Sequence, residues 1–252
     1  MSIDFSIIVA VYATGLKLLL ALTLIFVSGL DDLLIDTYYW VRQIYRKFFV
    51  YKRHKHLAVD QLRARSEQPL AIMIPAWQES PVIAEMLRNT INTLEYKNYR
   101  IFVGIYPNDP DTRREVEKVN RWSHVVEYVT TPNDGPTSKA DCLNWIIQGI
   151  RRYEEEWQIR FAAVIMHDAE DVVHPLELQM FNYHCPRFHF IQLPVYPLEP
   201  RWWQFTGGHY LDEFAENHGK DLVVRESLIK QVPCAGVAAC FERSSIEKVT
   251  EQ

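Results

Sequence analysis

Phe161-Ala-Ala-Val-Ile-Met-His-Asp-Ala-Glu-Asp171 is the stretch on which the fold turns. The apolar run from Phe161 to Met166 is short, continuous and bounded by polar residues, which predicts a strand buried on both faces. The strand then delivers the acids Asp168, Glu170 and Asp171 in close succession. Carboxylates so crowded repel one another unless a divalent cation or a cationic ligand neutralises them. A second reading is an acidic turn that caps a helix beginning near Pro175. The rest of the chain has to decide between the two.

Working outward, Leu70–Ile74, Ile101–Tyr106, Val125–Val129 and Phe190–Val195 carry the same short apolar signature. Helical stretches alternate with them at Pro81–Leu94, Asp111–Trp122 and Ser138–Tyr153. Ser80 followed by Pro81 reads as a cap with proline in the first turn. Strands alternating with helices predict an α/β domain with a mostly parallel sheet covered on both faces. Ligands of such sheets sit beyond the carboxyl ends of the strands, where the strand order switches. With 252 residues the chain can bury a full core, as one large domain or two small ones.

The N-terminal part is different in kind. From Phe5 to Leu30 the sequence is almost wholly apolar, interrupted by Thr14, Gly15 and Lys17, and long enough to cross a hydrocarbon layer of about 20 residues. No basic region precedes it and no Ala-x-Ala site follows, so it reads as a transmembrane helix rather than a cleaved leader. Asp31, Asp32 and Asp36 then alternate with Tyr38, Tyr39 and Trp40, and Phe48, Phe49 and Tyr51 interleave with Arg42, Arg46, Lys47, Lys52, Arg53 and Lys55. Aromatics and cations together suit a headgroup layer, so membrane lipid is an expected partner, and a basic helix packed on the soluble domain is the other, compatible reading. The basic flank places that side in the cytoplasm, with the N-terminus outside. The expected division is a membrane helix and anchor over 1–40, a basic juxtamembrane segment over 41–68, and an α/β domain over 69–252.

Net charge is −5, so the chain as a whole offers no basic surface for nucleic acid. Cys142, Cys185, Cys234 and Cys240 form neither a C-x-x-C pair nor a disulfide framework. The aromatic stretch Arg201-Trp-Trp-Gln-Phe205, with His209, Tyr210 and Phe214, reads either as a second interfacial helix or as a helix packed within the domain. The histidines, among them His167, His174, His184, His189, His209 and His218, lack metal-ligand spacing and read as structural hydrogen-bonding groups.

Polar groups recur at the strand ends. Ile74-Pro-Ala-Trp-Gln-Glu79 follows the first strand, and Tyr106-Pro-Asn-Asp-Pro-Asp-Thr112 the second. Gly135-Pro-Thr-Ser-Lys-Ala-Asp-Cys-Leu-Asn144 follows the third, where Ser138 can cap a helix that carries Lys139 in its first turn. A lysine beside the positive end of a helix is most useful with an anion such as a pyrophosphate between them. Acids at three strand ends, one lysine and a cation together suit a nucleotide diphosphate.

In their order these strings resemble the family 2 glycosyltransferases, the processive membrane-bound branch in particular. The resemblance implies a GT-A domain, a Rossmann-like fold, behind the membrane helix. It implies that Glu79 and Asp109 face the uracil and ribose of a UDP-sugar donor and that Lys139 faces the uracil or diphosphate. Asp168 and Glu170 occupy the places of the metal-binding Asp-x-Asp, with Asp168 also on the donor side. Glu170 or Asp171 is then the second ligand of Mg or Mn. The implied reaction inverts the sugar configuration and builds an exported polysaccharide at a bacterial inner membrane, with the transferase domain in the cytoplasm. Pro233-Cys-Ala-Gly-Val-Ala-Ala-Cys-Phe-Glu-Arg243 resembles the segment that meets the sugar acceptor, through Ala235 and Gly236. The family's catalytic base belongs to a later motif, expected beyond Gln252, so this stretch is expected to bind donor without transferring sugar unaided. The alternative expectation is a noncatalytic inner-membrane scaffold serving an outer-membrane export or receptor protein.

Overall fold

The structure is a computed structural model that describes residues 5–54, 56–198, 203 and 205–250. In chain order its elements are α1 (Phe5–Tyr45), α2 (Val59–Arg63), β1 (Leu70–Pro75), α3 (Ile83–Thr93), β2 (Tyr99–Ile105), α4 (Pro110–Trp122), β3 (Val126–Thr130), α5 (Lys139–Trp157), β4 (Ala163–Met166), α6 (Glu177–His184), β5 (Phe190–Gln192), α7 (Phe205–Glu216), α8 (Leu222–Ile229), β6 (Ala239–Glu242) and α9 (Arg243–Thr250). They form two compact units, Met1–His56 with Tyr196–Val232, and Leu57–Val195 with Pro233–Gln252.

The first unit is helical. Its helix does not stop with the apolar stretch at Leu30, because no proline or glycine follows Gly29 to break it, and α1 continues through Asp31 to Tyr45. A π-helical turn over Arg46–Val50 extends it. The helix is long and apolar enough to cross a membrane, and from Val11 to Val27 its large apolar side chains are exposed. The acidic part of α1 finds protein partners instead. Lys220 pairs with Asp36 at 2.5 Å and with Glu216, and Ser227 of α8 meets Tyr38 Oη at 2.8 Å and accepts from Arg42 Nε at 3.0 Å. Arg201, Trp202 and Gln204 of the expected interfacial stretch, and Lys55 of the basic flank, lie outside the described residues. In α7 the Tyr210 and Phe214 rings meet at a tilt one helical turn apart, with centroids 4.5 Å apart.

The second unit is built on a six-stranded sheet in the order β3-β2-β1-β4-β6-β5. The first four strands are parallel, while β6 pairs antiparallel with both β4 and β5. Alternate residues of β1 explain the two covered faces. Leu70, Ile72 and Ile74 join Ile83 and Leu87 of α3, Val116 of α4 and Phe181 of α6 on one side. Ala71 and Met73 join Phe102, Cys142, Ile146 and Ile150, the last three on α5, on the other. Arg243 ties the C-terminal return to this core. Its buried guanidinium reaches Glu154 through Nη2 at 2.7 Å, and the Arg243 backbone N–H donates to the Ala162 carbonyl at 3.1 Å.

Several boundaries differ from the sequence expectations. Ser80 does not cap α3, which starts at Ile83 after the Val82 and Ile83 N–H groups bond to the Glu79 carbonyl. The run Phe190–Val195 supplies only the three-residue edge strand β5. Ala239–Glu242, inside the expected acceptor segment, is the strand β6, hidden because a glycine-containing apolar run carries no alternating pattern. The acids at 168–171 do not cap α6, whose N-cap position is Leu176.

Candidate functional site

Three βα loops of the parallel strands, together with the turn after β4, frame a cleft of about 370 Å³ at the carboxyl ends of the strands. The β1–α3 loop contributes Trp77 and Glu79, the β2–α4 loop Tyr106, the start of α5 Thr137 and Lys139, and the turn after β4 Asp168 and Glu170. The cleft thus lies at the edge beyond which such sheets bind their ligands.

Each wall has a local cause. Gln78 adopts the left-handed backbone region at φ 59°, which turns the chain back so that Glu79 reaches the cleft. Asp109 holds that turn. Its Oδ2 accepts from Gln78 N–H at 2.6 Å while its Oδ1 accepts from Thr112 N–H at 3.3 Å as the N-cap of α4. Thr112 Oγ1 accepts from Glu79 N–H at 2.9 Å, so two consecutive amides are satisfied by one loop. Asp109 is buried and absent from the cleft lining, unlike Glu79.

The β3–α5 loop is latched from both sides. Asn108 Nδ2 donates to Gly135 O and Gly135 N–H donates to Asn108 Oδ1, both at 2.7 Å. Trp77 lies beneath Gly135, edge-on to Tyr106 with ring centroids 5.1 Å apart. Ser138 caps α5 as expected, accepting from Asp141 N–H at 3.1 Å, and this sets Lys139 at the first helical position. Lys139 Nζ forms an ion pair with Asp168 and donates to Gly236 O at 3.1 Å. Gly236 sits at φ +85°, a conformation that side chains resist, and Gln192 fixes the segment by accepting from Ala235 N–H at 2.9 Å and donating to Val237 O at 2.8 Å. The residues expected on the donor side and on the acceptor side are thus brought together through Lys139.

The acidic side of the cleft shares one field. Burial lifts the Glu79 carboxyl above its ordinary range, and Glu170, Asp168 and Asp109 lift it further. Asp171 differs from its neighbours. Its Oδ2 accepts from Asp168 N–H at 2.9 Å and meets His167 Nδ1 at 3.0 Å, so it braces the turn. Among the described residues no group of three His, Cys, Asp or Glu side chains is gathered for a metal. Asp168 and Glu170, both on the cleft wall, are nonetheless suited to a cation whose remaining ligands are phosphate oxygens and water, the habit of Mg²⁺.

Trp77, Tyr106 and Thr137 on the cleft wall, and Glu177 and Gln192 behind it, were not singled out by sequence reasoning, whereas His167 is the structural hydrogen-bonding group it was expected to be. The quoted strings already contained Trp77, Tyr106, Thr137 and His167. Glu177 and Gln192 carried no sequence signal, because their partners are made by the fold.

A mostly parallel sheet with an acid-and-lysine cleft at its carboxyl edge, preceded by a helix fit to cross a membrane, defines a GT-A-type glycosyltransferase domain. The chain belongs to the glycosyltransferase-like family 2, whose family model matches residues 68–251. It is 50% identical over 240 residues to bacteriophage adsorption protein B of Escherichia coli K12, covering 94% of this chain and 32% of that protein. Bacteriophage N4 adsorption protein B of Escherichia coli O157:H7 matches with the same identity and coverage. The chain therefore spans about a third of the length of these curated relatives. Among solved structures, a mannosyltransferase of Pyrobaculum calidifontis in complex with GDP-Man and Mn²⁺ is 16% identical with a TM-score of 0.53, covering 85% of this chain and 54% of that one. That likeness concerns the fold.

Proposed function

We propose that this stretch is the donor-binding part of an inverting, membrane-anchored glycosyltransferase that takes a nucleotide-diphosphate sugar, of the UDP class, together with Mg²⁺ or Mn²⁺. The observation that carries the reading is the convergence of Glu79, Lys139, Asp168 and Glu170 on one cleft at the carboxyl ends of the strands. Lys139 binds a diphosphate oxygen at the positive end of α5. Asp168 and Glu170 hold the cation, with Asp171 bracing their turn rather than ligating. A bound divalent cation supplies neutralisation of the charge that builds on the leaving diphosphate. Glu79 and Asp109 serve the base and ribose end, Glu79 directly and Asp109 by holding the Gln78–Glu79 turn. Ala235 and Gly236 stand on the acceptor side, where a sugar or growing polysaccharide arrives. In this reading α1 spans a bacterial inner membrane, its N-terminus faces the periplasm, and the transferase domain is cytoplasmic.

Calorimetry on the detergent-solubilised chain tests this, with UDP-sugars and GDP-sugars, each with and without Mn²⁺. Metal-dependent binding of one donor class that Asp168→Ala removes is the expected result. No binding of any donor, or binding indifferent to both metal and Asp168→Ala, overturns it. A second reading is favoured by the names of the curated relatives, which are adsorption proteins. It makes the chain a noncatalytic scaffold for an outer-membrane receptor or export component. Sugar incorporation by the longer relatives that depends on the residue matching Asp168 would exclude a pure scaffold.

A further inference from the structure

His167 stands directly before the acidic turn, yet its side chain faces away from the cleft wall into the core, where it is only 3% exposed. It touches acids on both sides. Nδ1 lies 3.0 Å from Asp171 Oδ2 and Nε2 lies 2.7 Å from Glu177 Oε1, so the ring stands between two carboxylates. Glu177 is itself buried and opens α6. Asp171 Oδ2 also accepts the Asp168 N–H, and the His167 N–H donates to Met73 O at the end of β1. An unbroken path therefore runs from the first residue of α6, through the imidazole and Asp171, to the backbone of Asp168.

We propose that His167 is a positioning residue for the donor site: the Glu177–His167–Asp171 bridge fixes the turn that aims Asp168 and Glu170 into the cleft. Lys139 meets Asp168 from across the cleft, but behind the turn the bridge stands with little backbone support. The only further backbone bond within it is Asp171 N–H to Asp168 O at 3.3 Å, a long one. A buried carboxylate such as Glu177 is costly without a polar group against it, and here that group is a ring whose two nitrogens approach both acids. Groups standing behind cation-binding carboxylates orient them, and their loss typically lowers metal affinity by about 10- to 100-fold. The inference rests on the reading of Asp168 and Glu170 as cation ligands.

The test compares the full chain with His167→Gln and Glu177→Gln, titrated with UDP and GDP alone and then in saturating Mn²⁺. Glutamine at 167 reaches one acid at a time, and glutamine at 177 keeps volume while removing the carboxylate. The expected result is that both variants lose about tenfold or more of the affinity measured with Mn²⁺, while affinity for nucleotide alone stays within about twofold. Asp171→Asn combined with His167→Gln should lose no more than either alone, since both cut one path. Equal losses with and without metal would mark His167 as a general structural residue and overturn the proposal, and so would unchanged binding in both arms. If His167→Gln fails to fold, Glu177→Gln and Asp171→Asn decide by the same criterion. Absence of metal-dependent binding in the unmodified chain would overturn the donor-site reading itself, a result distinct from any seen only in the variants.

Discussion

Asp109→Ala separates anchoring from ligand contact. The carboxylate satisfies two amides, the Gln78 N–H at 2.6 Å and the Thr112 N–H at 3.3 Å. Removing a helix N-cap costs about 1 kcal/mol. A hydrogen bond to a charged group contributes about 1.5–3 kcal/mol, and the low end applies here because Gln78 is exposed and water can replace the lost acceptor. The sum is about 2.5 kcal/mol, which for a protein of this size lowers Tm by about 5–10 °C. Asp109→Asn keeps one acceptor oxygen and can serve only one of the two amides, so it should lose about half as much. Scanning calorimetry of the full chain reads both values. Nucleotide affinity should fall in parallel, because the Gln78–Glu79 turn loses its anchor. A melting temperature within about 1 °C of the unmodified chain, combined with weakened nucleotide binding, would refute the anchoring argument and leave Asp109 as a ligand contact alone.

Two further outcomes follow from the same geometry. Gly135→Ala would place a Cβ 2.3 Å from Trp77 Cζ3, so the indole must leave its place on the cleft wall. A cost of about 1–3 kcal/mol and weaker nucleotide binding are expected in calorimetry and titration. Glu242 is held down to about 2, first by the Ser244 hydroxyl and then, against some burial, by His189, the Ser244 N–H and the Ser245 hydroxyl. Because its folded value lies below the ordinary 4.5, its stabilisation is complete above pH 4.5 and is lost as pH falls toward 2. Glu242→Gln should lower stability at neutral pH and flatten the acid limb of a denaturation-against-pH curve. An acid limb identical to that of the unmodified chain would refute this.

The parts of the fold legible in the sequence are those governed by local pattern. Apolar runs marked β1, β2 and β4 because strands buried on both faces need continuous apolar sequence. Ser138 announced the start of α5, since a serine cap acts on the next turn of its own chain. β6 escaped because its pairing with β4 is set across more than seventy residues, and nothing in Ala239–Glu242 itself encodes an antiparallel partner. The helix expected at Pro81 begins at Ile83, because a turn in which the Glu79 carbonyl takes the Val82 and Ile83 N–H groups comes first.

The site divides along the same line. By itself the sequence determined which chemistry stands at each strand end: Glu79, Asp109, Lys139 and the acids after β4 are placed there by the alternation of strand and helix, which is a local property. Only the tertiary structure decided what each group does. It turned Asp109 inward as an anchor, joined Lys139 to both Asp168 and Gly236, and set Asp171 and Glu177 on either side of His167. Those roles depend on contacts between loops far apart in the chain, and the direction in which a carboxylate points is fixed by the amide or ring that reaches it first.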